Sequence, residues 1–217
     1  MISYEKAFKK PFTDLSKLVI GIVLSVIPIV NWIPEGFAIE SSGLGKAKAS
    51  DKMPEWKDWG RLFTRGLLAT VITLIYAIPG IIVVLIGIGI AIVSLVSTFA
   101  GAMTGMSQNW MSLLPVLITT APLTLVGFIL ILIAAYISPM AILNYVRYNK
   151  FSSAFDFGAV LKKAFTGKYF MAWLITMVFG VILGTLLSFI PIVGMAAASF
   201  IASVISFSLF GQVFKEV

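Results

Sequence analysis

Between Arg65 and Arg147 the chain runs for 81 residues, Gly66 to Val146, without one Asp, Glu, Lys or Arg. Water is not the solvent of such a segment, because a soluble domain draws about a quarter of its residues from the charged set. A membrane span needs about 20 apolar residues, so this stretch alone holds two spans or more. In hydrocarbon every backbone amide must be paired within the protein, and an α-helix does that locally. The remaining composition agrees, with 59% hydrophobic and 12% charged residues and a mean hydropathy of +1.04. The expected fold is all-α: a polytopic transmembrane helical bundle forming a single integral membrane domain over residues 1–217.

The formal charge is +7. Its basic residues cluster beside apolar segments, as the positive-inside rule describes, so anionic lipid rather than nucleic acid is the expected partner. There is no histidine and no cysteine, which removes disulfides, thiolate nucleophiles, the usual zinc ligands and the Ser-His relay. No cofactor or metal is expected. Lys6, Lys9 and Lys10 ahead of Leu18 to Val30 have the outline of a signal peptide. Pro28 and Pro34 interrupt that core, and the nearest small-x-small site, Ala47-Lys48-Ala49, lies well beyond it, so cleavage is not expected.

Lys and Arg fall in four blocks: Lys6 to Lys17, Lys46 to Arg65, Arg147 to Lys168, and Lys215. If all four face the cytoplasm, an even number of crossings separates neighbours. The three apolar regions are then hairpins, at about 4–45, 58–146 and 160–215, giving six helices, with four crossings within the middle region as the alternative of equal parity. Both termini are cytoplasmic in this reading, and the location is the cell membrane. The arms of the middle hairpin, near Arg61 to Ser97 and Trp110 to Val146, are too long for straight spans. They are expected to tilt, to emerge from the membrane, or to break at Pro79 and at Pro115, Pro122 or Pro139. The apolar part of the first hairpin is short, which leaves a full crossing and a re-entrant hairpin as alternatives.

In the last hairpin Gly180 and Gly184 lie eleven and seven residues before Pro191, while Ala198 and Ala202 lie seven and eleven after it. The small residues therefore meet at equal depths, and with Gly194 they form the expected helix-packing stripe. An internal repeat supports the hairpins. Leu18 to Val30 aligns without gaps on Val181 to Val193 with seven of thirteen residues identical, including Gly, Ser and Pro. At the polar side Asp58-Trp-Gly-Arg-Leu-Phe-Thr-Arg65 parallels Asp156-Phe-Gly-Ala-Val-Leu-Lys-Lys163, two expected amphipathic interfacial entry helices. Trp56, Trp59, Trp110, Trp173 and Tyr169 are expected as interfacial anchors.

Acidic residues at membrane depth are the default functional candidates, and only Glu35 and Glu40 qualify. Through the repeat Glu35 takes the place of Ala198 and is expected to face Gly21. Asn31, Ser41 and Ser42 offer oxygens nearby, so Glu35, Glu40 and Asn31 are the candidate binding residues. The competing reading is a shallow hairpin whose glutamates reach water or pair with lysines. Gly43-Leu-Gly-Lys46 lacks the Ser or Thr of a phosphate loop, and no G-x-S-x-G elbow occurs. No enzyme is expected.

Met53 to Leu67, followed by Ile75-Tyr-Ala-Ile-Pro79 and preceded by Ile27-Pro-Ile-Val-Asn31, resembles a prokaryotic, mainly archaeal, family of polytopic membrane proteins of unknown function. More remotely the hairpin plan is similar to the membrane domain fused to some glycerophosphodiester phosphodiesterases, which is not the catalytic one. The resemblance implies a helical fold in a cytoplasmic membrane and no reaction. Two function classes follow. One is a non-enzymatic scaffold, lipid-interacting module or subunit of a membrane assembly, for which a homo-oligomer or a second membrane protein would be the partner. The other is a small transporter, channel or lipid scramblase with Glu35 and Glu40 near the pathway.

Overall fold

The computed structural model describes residues 2–45, 51–103, 111 and 114–217. The described residues form α-helices, short 3-10 turns and loops, with no strand among them. The helices are α1 (Tyr4–Lys9), α2 (Leu15–Val26), α3 (Trp32–Glu40), α4 (Trp59–Met103), α5 (Leu114–Tyr148), α6 (Phe157–Ala164), α7 (Gly167–Leu187) and α8 (Val193–Glu216). Four of them, α4, α5, α7 and α8, are long and apolar enough to cross a membrane.

This count corrects the expected six. At 1.5 Å per residue the 12-residue α2 and the 9-residue α3 reach about 18 and 14 Å, short of a hydrocarbon core of about 30 Å. The 21 residues of α7 and 24 of α8 reach about 31 and 36 Å. The long arms are not broken at their prolines. Helix α4 continues through Pro79 for 45 residues, and α5 contains Pro115, Pro122 and Pro139 in 35. Pro115 sits in the first turn, where its missing N–H is of no consequence. The others forgo one ladder bond each, which apolar helices tolerate.

The chain divides into two compact units, Met1–Thr73 with Tyr136–Val217, and Leu74–Ala135, where the sequence reading treats it as one domain. In the first unit α8 is the hub, touching α1, α2, α3 and α7. Its Phe200, Ile201, Val204, Ile205, Leu209 and Val213 are buried. Phe200 fills the space over Gly21, where a Cβ would lie 2.2 Å from the ring. Gly211 lies under the carbonyl of Ser42, 2.2 Å from where its own Cβ would be. The tightest approach joins α3 to α4 reciprocally. A Cβ on Gly36 would sit 1.9 Å from the Leu62 carbonyl oxygen, and one on Gly66 would sit 1.9 Å from that of Trp32. In the second unit Gly80 and Gly127 bring α4 and α5 together, each Cβ position lying 2.8 Å from a backbone atom of the other helix.

The expected small-residue stripe is only partly a seam. A Cβ on Gly180 would meet Ala202 at an ordinary 3.8 Å, and Ala198 is buried. Gly184 has nothing within 4 Å, and Gly194 packs on its own turn against the Leu187 carbonyl rather than across the hairpin.

The sequence repeat is a repeat of structure at its turn. Ile27 N–H donates to the Leu24 carbonyl and Asn31 N–H to that of Ile27; at the aligned positions Ile190 N–H donates to Leu187 and Gly194 N–H to Ile190. The aligned Ile29 and Ile192 both have positive φ, 70° and 63°, a region β-branched residues rarely enter. Beyond the turn the copies diverge, since α3 stops after 9 residues and α8 continues for 24.

The two Asp-aromatic-Gly segments also diverge. Asp156 caps the separate α6, accepting from Ala159 N–H at 3.1 Å. Asp58, at φ 58°, opens α4 itself, so there is one entry helix rather than two.

These contacts set an order among the glycines. Gly36→Ala and Gly66→Ala should each destabilise the detergent-solubilised protein by roughly 1–3 kcal/mol or more, because backbone must move. Gly184→Ala should be neutral, or stabilising by up to about 1 kcal/mol through helix propensity. Thermal unfolding of the three variants side by side measures the order.

Candidate functional site

The site forms where α3 ends beneath the start of α4. Glu40, the last residue of α3, is 2% exposed and Arg65 is 4% exposed. Arg61 and Arg65 are four residues apart and so share one face of α4. Arg65 Nη1 donates to Glu40 Oε1, and Arg61 Nη1 lies 3.6 Å from the same oxygen. Arg61 Nε in turn lies 3.0 Å from Asp58 Oδ2. These charges are paired, yet three buried atoms make no hydrogen bond: Glu40 Oε2, Arg61 Nε and Arg61 Nη1. Glu40 and Arg61 line a cavity of about 290 Å³ with Pro54, Glu55, Lys57, Asp58 and Leu62.

Lysines close the same end of α3 by capping its terminal carbonyls, the favourable place for cations at a helix C-terminus. Lys10 Nζ donates to Ser41 O at 2.7 Å and Lys215 Nζ to Gly43 O at 3.0 Å. Lys10 is 4% exposed. Burial brings its pKa from 10.5 down to about 8, with Lys215 pushing the same way and Asp51 opposing.

The expected residues do not converge. Glu35 and Glu40 are five apart on α3, about 140° around the helix. Glu35 does not face Gly21, which Phe200 occupies. Instead its Oε2 accepts from Ser203 Oγ at 3.4 Å, and desolvation raises its pKa against that hydrogen bond. Asn31 is exposed and its side chain caps nothing. Glu40 pairs with arginines rather than with water or lysine. Among the described residues no cluster of three acidic groups could hold a metal ion.

Of the expected anchors, Trp59 is 45% exposed at the head of α4. Trp56 is not free at a surface: it stacks on Phe37 at 3.9 Å and donates from Nε1 to the Lys17 carbonyl at 3.3 Å. Trp173 sits edge-on to Tyr136 at 5.2 Å. Tyr169 is fully buried, its hydroxyl donating to the Tyr136 carbonyl at 2.6 Å, so it belongs to the core and not to an interface. Trp110 and Ala47 to Ala49 lie outside the described residues.

Sequence reasoning missed Arg61, Arg65 and Lys10. The available signal was two arginines at i,i+4 immediately before Gly66 and the charge-free run.

Two measurements follow. Glu40→Gln leaves Arg65 buried beside a neutral group and should cost about 3–5 kcal/mol of stability, whereas Glu35→Gln should change it by less than about 1 kcal/mol; denaturant titration in detergent compares them. For Lys10, the folded state releases its proton near pH 8 and the unfolded state near 10.5. The unfolded chain binds more protons between those values, so stability should rise with pH across that window, by about 3 kcal/mol in total. The rise should be absent in Lys10→Met.

Similarity supplies a family and no activity. The family model described as a protein of unknown function, DUF4013, matches residues 20–192, which include α3 and its contacts with the start of α4. No curated protein matches the chain, and no solved structure does. The chain belongs to the DUF4013 family of proteins of unknown function.

Proposed function

We propose that the chain is a non-enzymatic integral membrane protein, a lipid-interacting scaffold module of a larger assembly, with both termini on the cytoplasmic side of the cell membrane. The observation that carries this reading is how the surface is divided. Along α4, α5 and α7 most exposed side chains are Ile, Leu, Val, Phe and Met, such as Leu85, Val93, Ile118 and Val181, with uncharged Ser97, Thr119 and Thr185 among them and the exposed charges Arg147 and Lys168 at helix ends. Charged side chains are confined to segments outside Gly66 to Val146, where several pair with one another or cap helix ends. A surface of that kind is solvated by lipid tails, with Trp59 and the lysines at headgroup level. The remote similarity to a membrane domain of phosphodiesterases fits this reading and brings no reaction with it.

The alternative, a transporter or scramblase, needs polar groups converging on a path and helices that open. Glu35 and Glu40 diverge around α3, and α4 runs unbroken through Pro79. Both observations favour the scaffold.

In proteoliposomes carrying a fluorescent lipid, dithionite should bleach only the outer leaflet; complete bleaching would establish scrambling and reject the scaffold. Single cysteines at Glu55 and Lys150 should label only from the cytoplasmic side with an impermeant thiol reagent, and one at Met103 only from the opposite side. Labelling of Met103 and Glu55 from one side would refute the topology.

A further inference from the structure

Resting on the lipid-interacting reading, we propose that the cavity between the end of α3 and the start of α4 is a headgroup site. Its ligand is a phospholipid whose phosphodiester carries a hydrogen-bond donor, hydroxyl or ammonium, a few bonds from phosphorus. Glu40 is buried and already faces two guanidinium groups, while Asp58 on the same wall lies 3.0 Å from Arg61 Nε and Glu55 lies 2.7 Å from Lys17, so each carboxylate of the pocket has its cation. Arg61 Nε and Nη1 are buried donors without hydrogen bonds, and such groups are rare unless something completes them. Lys57 stands exposed on the same wall, beside a Glu55 that is bonded to Lys17 at 2.7 Å. Donors from Arg61 and Lys57 together match the oxygens of a phosphodiester, which guanidinium groups bind by shape as well as charge.

The third unmet atom sharpens the class. Glu40 Oε2 is an acceptor, buried and without a donor. A phosphate oxygen cannot satisfy it, and an N–H or O–H borne by the same headgroup can. A glycerol or ethanolamine headgroup offers one; a choline headgroup has no donor to give. The cavity of about 290 Å³ is at the lower limit of ligand sites, suited to a headgroup and not to acyl chains. Depth argues for a lipid over a soluble phosphodiester. The charge-free run begins at Gly66, five residues or about 7.5 Å along α4 from Arg61, which is where phosphate meets hydrocarbon. Trp59, exposed two residues before Arg61, marks the same level.

The test uses the full-length protein, delipidated in detergent, with dihexanoyl phosphatidylglycerol, phosphatidylethanolamine and phosphatidylcholine as probes, read by thermal shift and native mass spectrometry. The glycerol and ethanolamine lipids should bind at least about tenfold more tightly than the choline lipid, the value of one hydrogen bond to a charged group. Lys57→Gln, an exposed change that leaves the fold intact, should weaken phosphatidylglycerol binding about tenfold. Arg61→Gln should abolish the preference, and any loss of folding is monitored in the same melt. Equal binding of all three lipids, or no effect of Lys57→Gln, would overturn the proposal. Equal binding of water-soluble glycerophosphoglycerol would also overturn it, by showing that the site takes a free phosphodiester. The bleaching assay on the same preparation separates the two claims: scrambling rejects the scaffold reading, while uniform lipid binding without scrambling removes only the headgroup site.

Discussion

The carboxylate of Glu40 is enclosed by the guanidinium groups of Arg65 and Arg61, and the first unit depends on that enclosure. A buried charge is costly unless its partner is fixed in place. Here the fixing is done by backbone. Gly36 and Gly66 let α3 and α4 approach until each carbonyl occupies the space of the other's missing Cβ. Glu40 lies four residues after Gly36 and Arg65 one residue before Gly66, so the same approach brings the two charges together. Helix α3, too short to cross a membrane, is thus held against α4 on one side and α8 on another. The lysine caps from Lys10 and Lys215 then satisfy the carbonyls that its short length exposes.

How much of this was legible depends on the range of the interaction. The charge-free run dictates apolar helices because solvent acts locally on every residue. The repeat dictates a shared turn because Ile-Pro-Ile-Val is a local conformational instruction, and Ile29 and Ile192 adopt it together. The number of crossings was not legible. After the same turn, α3 ends where Ser41, Ser42 and Gly43 begin, while α8 runs on through apolar residues. The prolines misled for a physical reason: a proline interrupts an isolated helix, whereas in packed apolar helices neighbouring helices, Ser and Thr side chains and small local adjustments re-satisfy the carbonyl it frees. The site was half legible. Glu40 stood out as an acid in an apolar setting, but its partners lie 21 and 25 positions away, beyond any local pattern. Glu35 was placed by analogy with Ala198, and the analogy failed because Phe200 already fills the space over Gly21.

The same arrangement bears on the proposed function. A pathway requires polar groups that face each other across water, and Glu40 faces arginines while Glu35 faces Ser203. Glu40, Arg65, Lys10 and Lys215 hold helix ends together, and large hydrophobic side chains of α4, α5 and α7 point outward. Among the described residues the buried side-chain atoms without a hydrogen bond are Asn144 Oδ1 and, together where α3 meets the start of α4, Glu40 Oε2, Arg61 Nε and Arg61 Nη1.

The central claim is that Glu40 and Arg65 act as one buried unit that locks α3 to α4. A double-mutant cycle with Glu40→Gln, Arg65→Gln and the double variant, measured by denaturant unfolding in detergent, tests it most directly. The account expects a coupling of about 2 kcal/mol or more, because once one partner is gone the loss of the other costs little further. Additive losses, with coupling below about 0.5 kcal/mol, would show that the two side chains act independently and would contradict the lock.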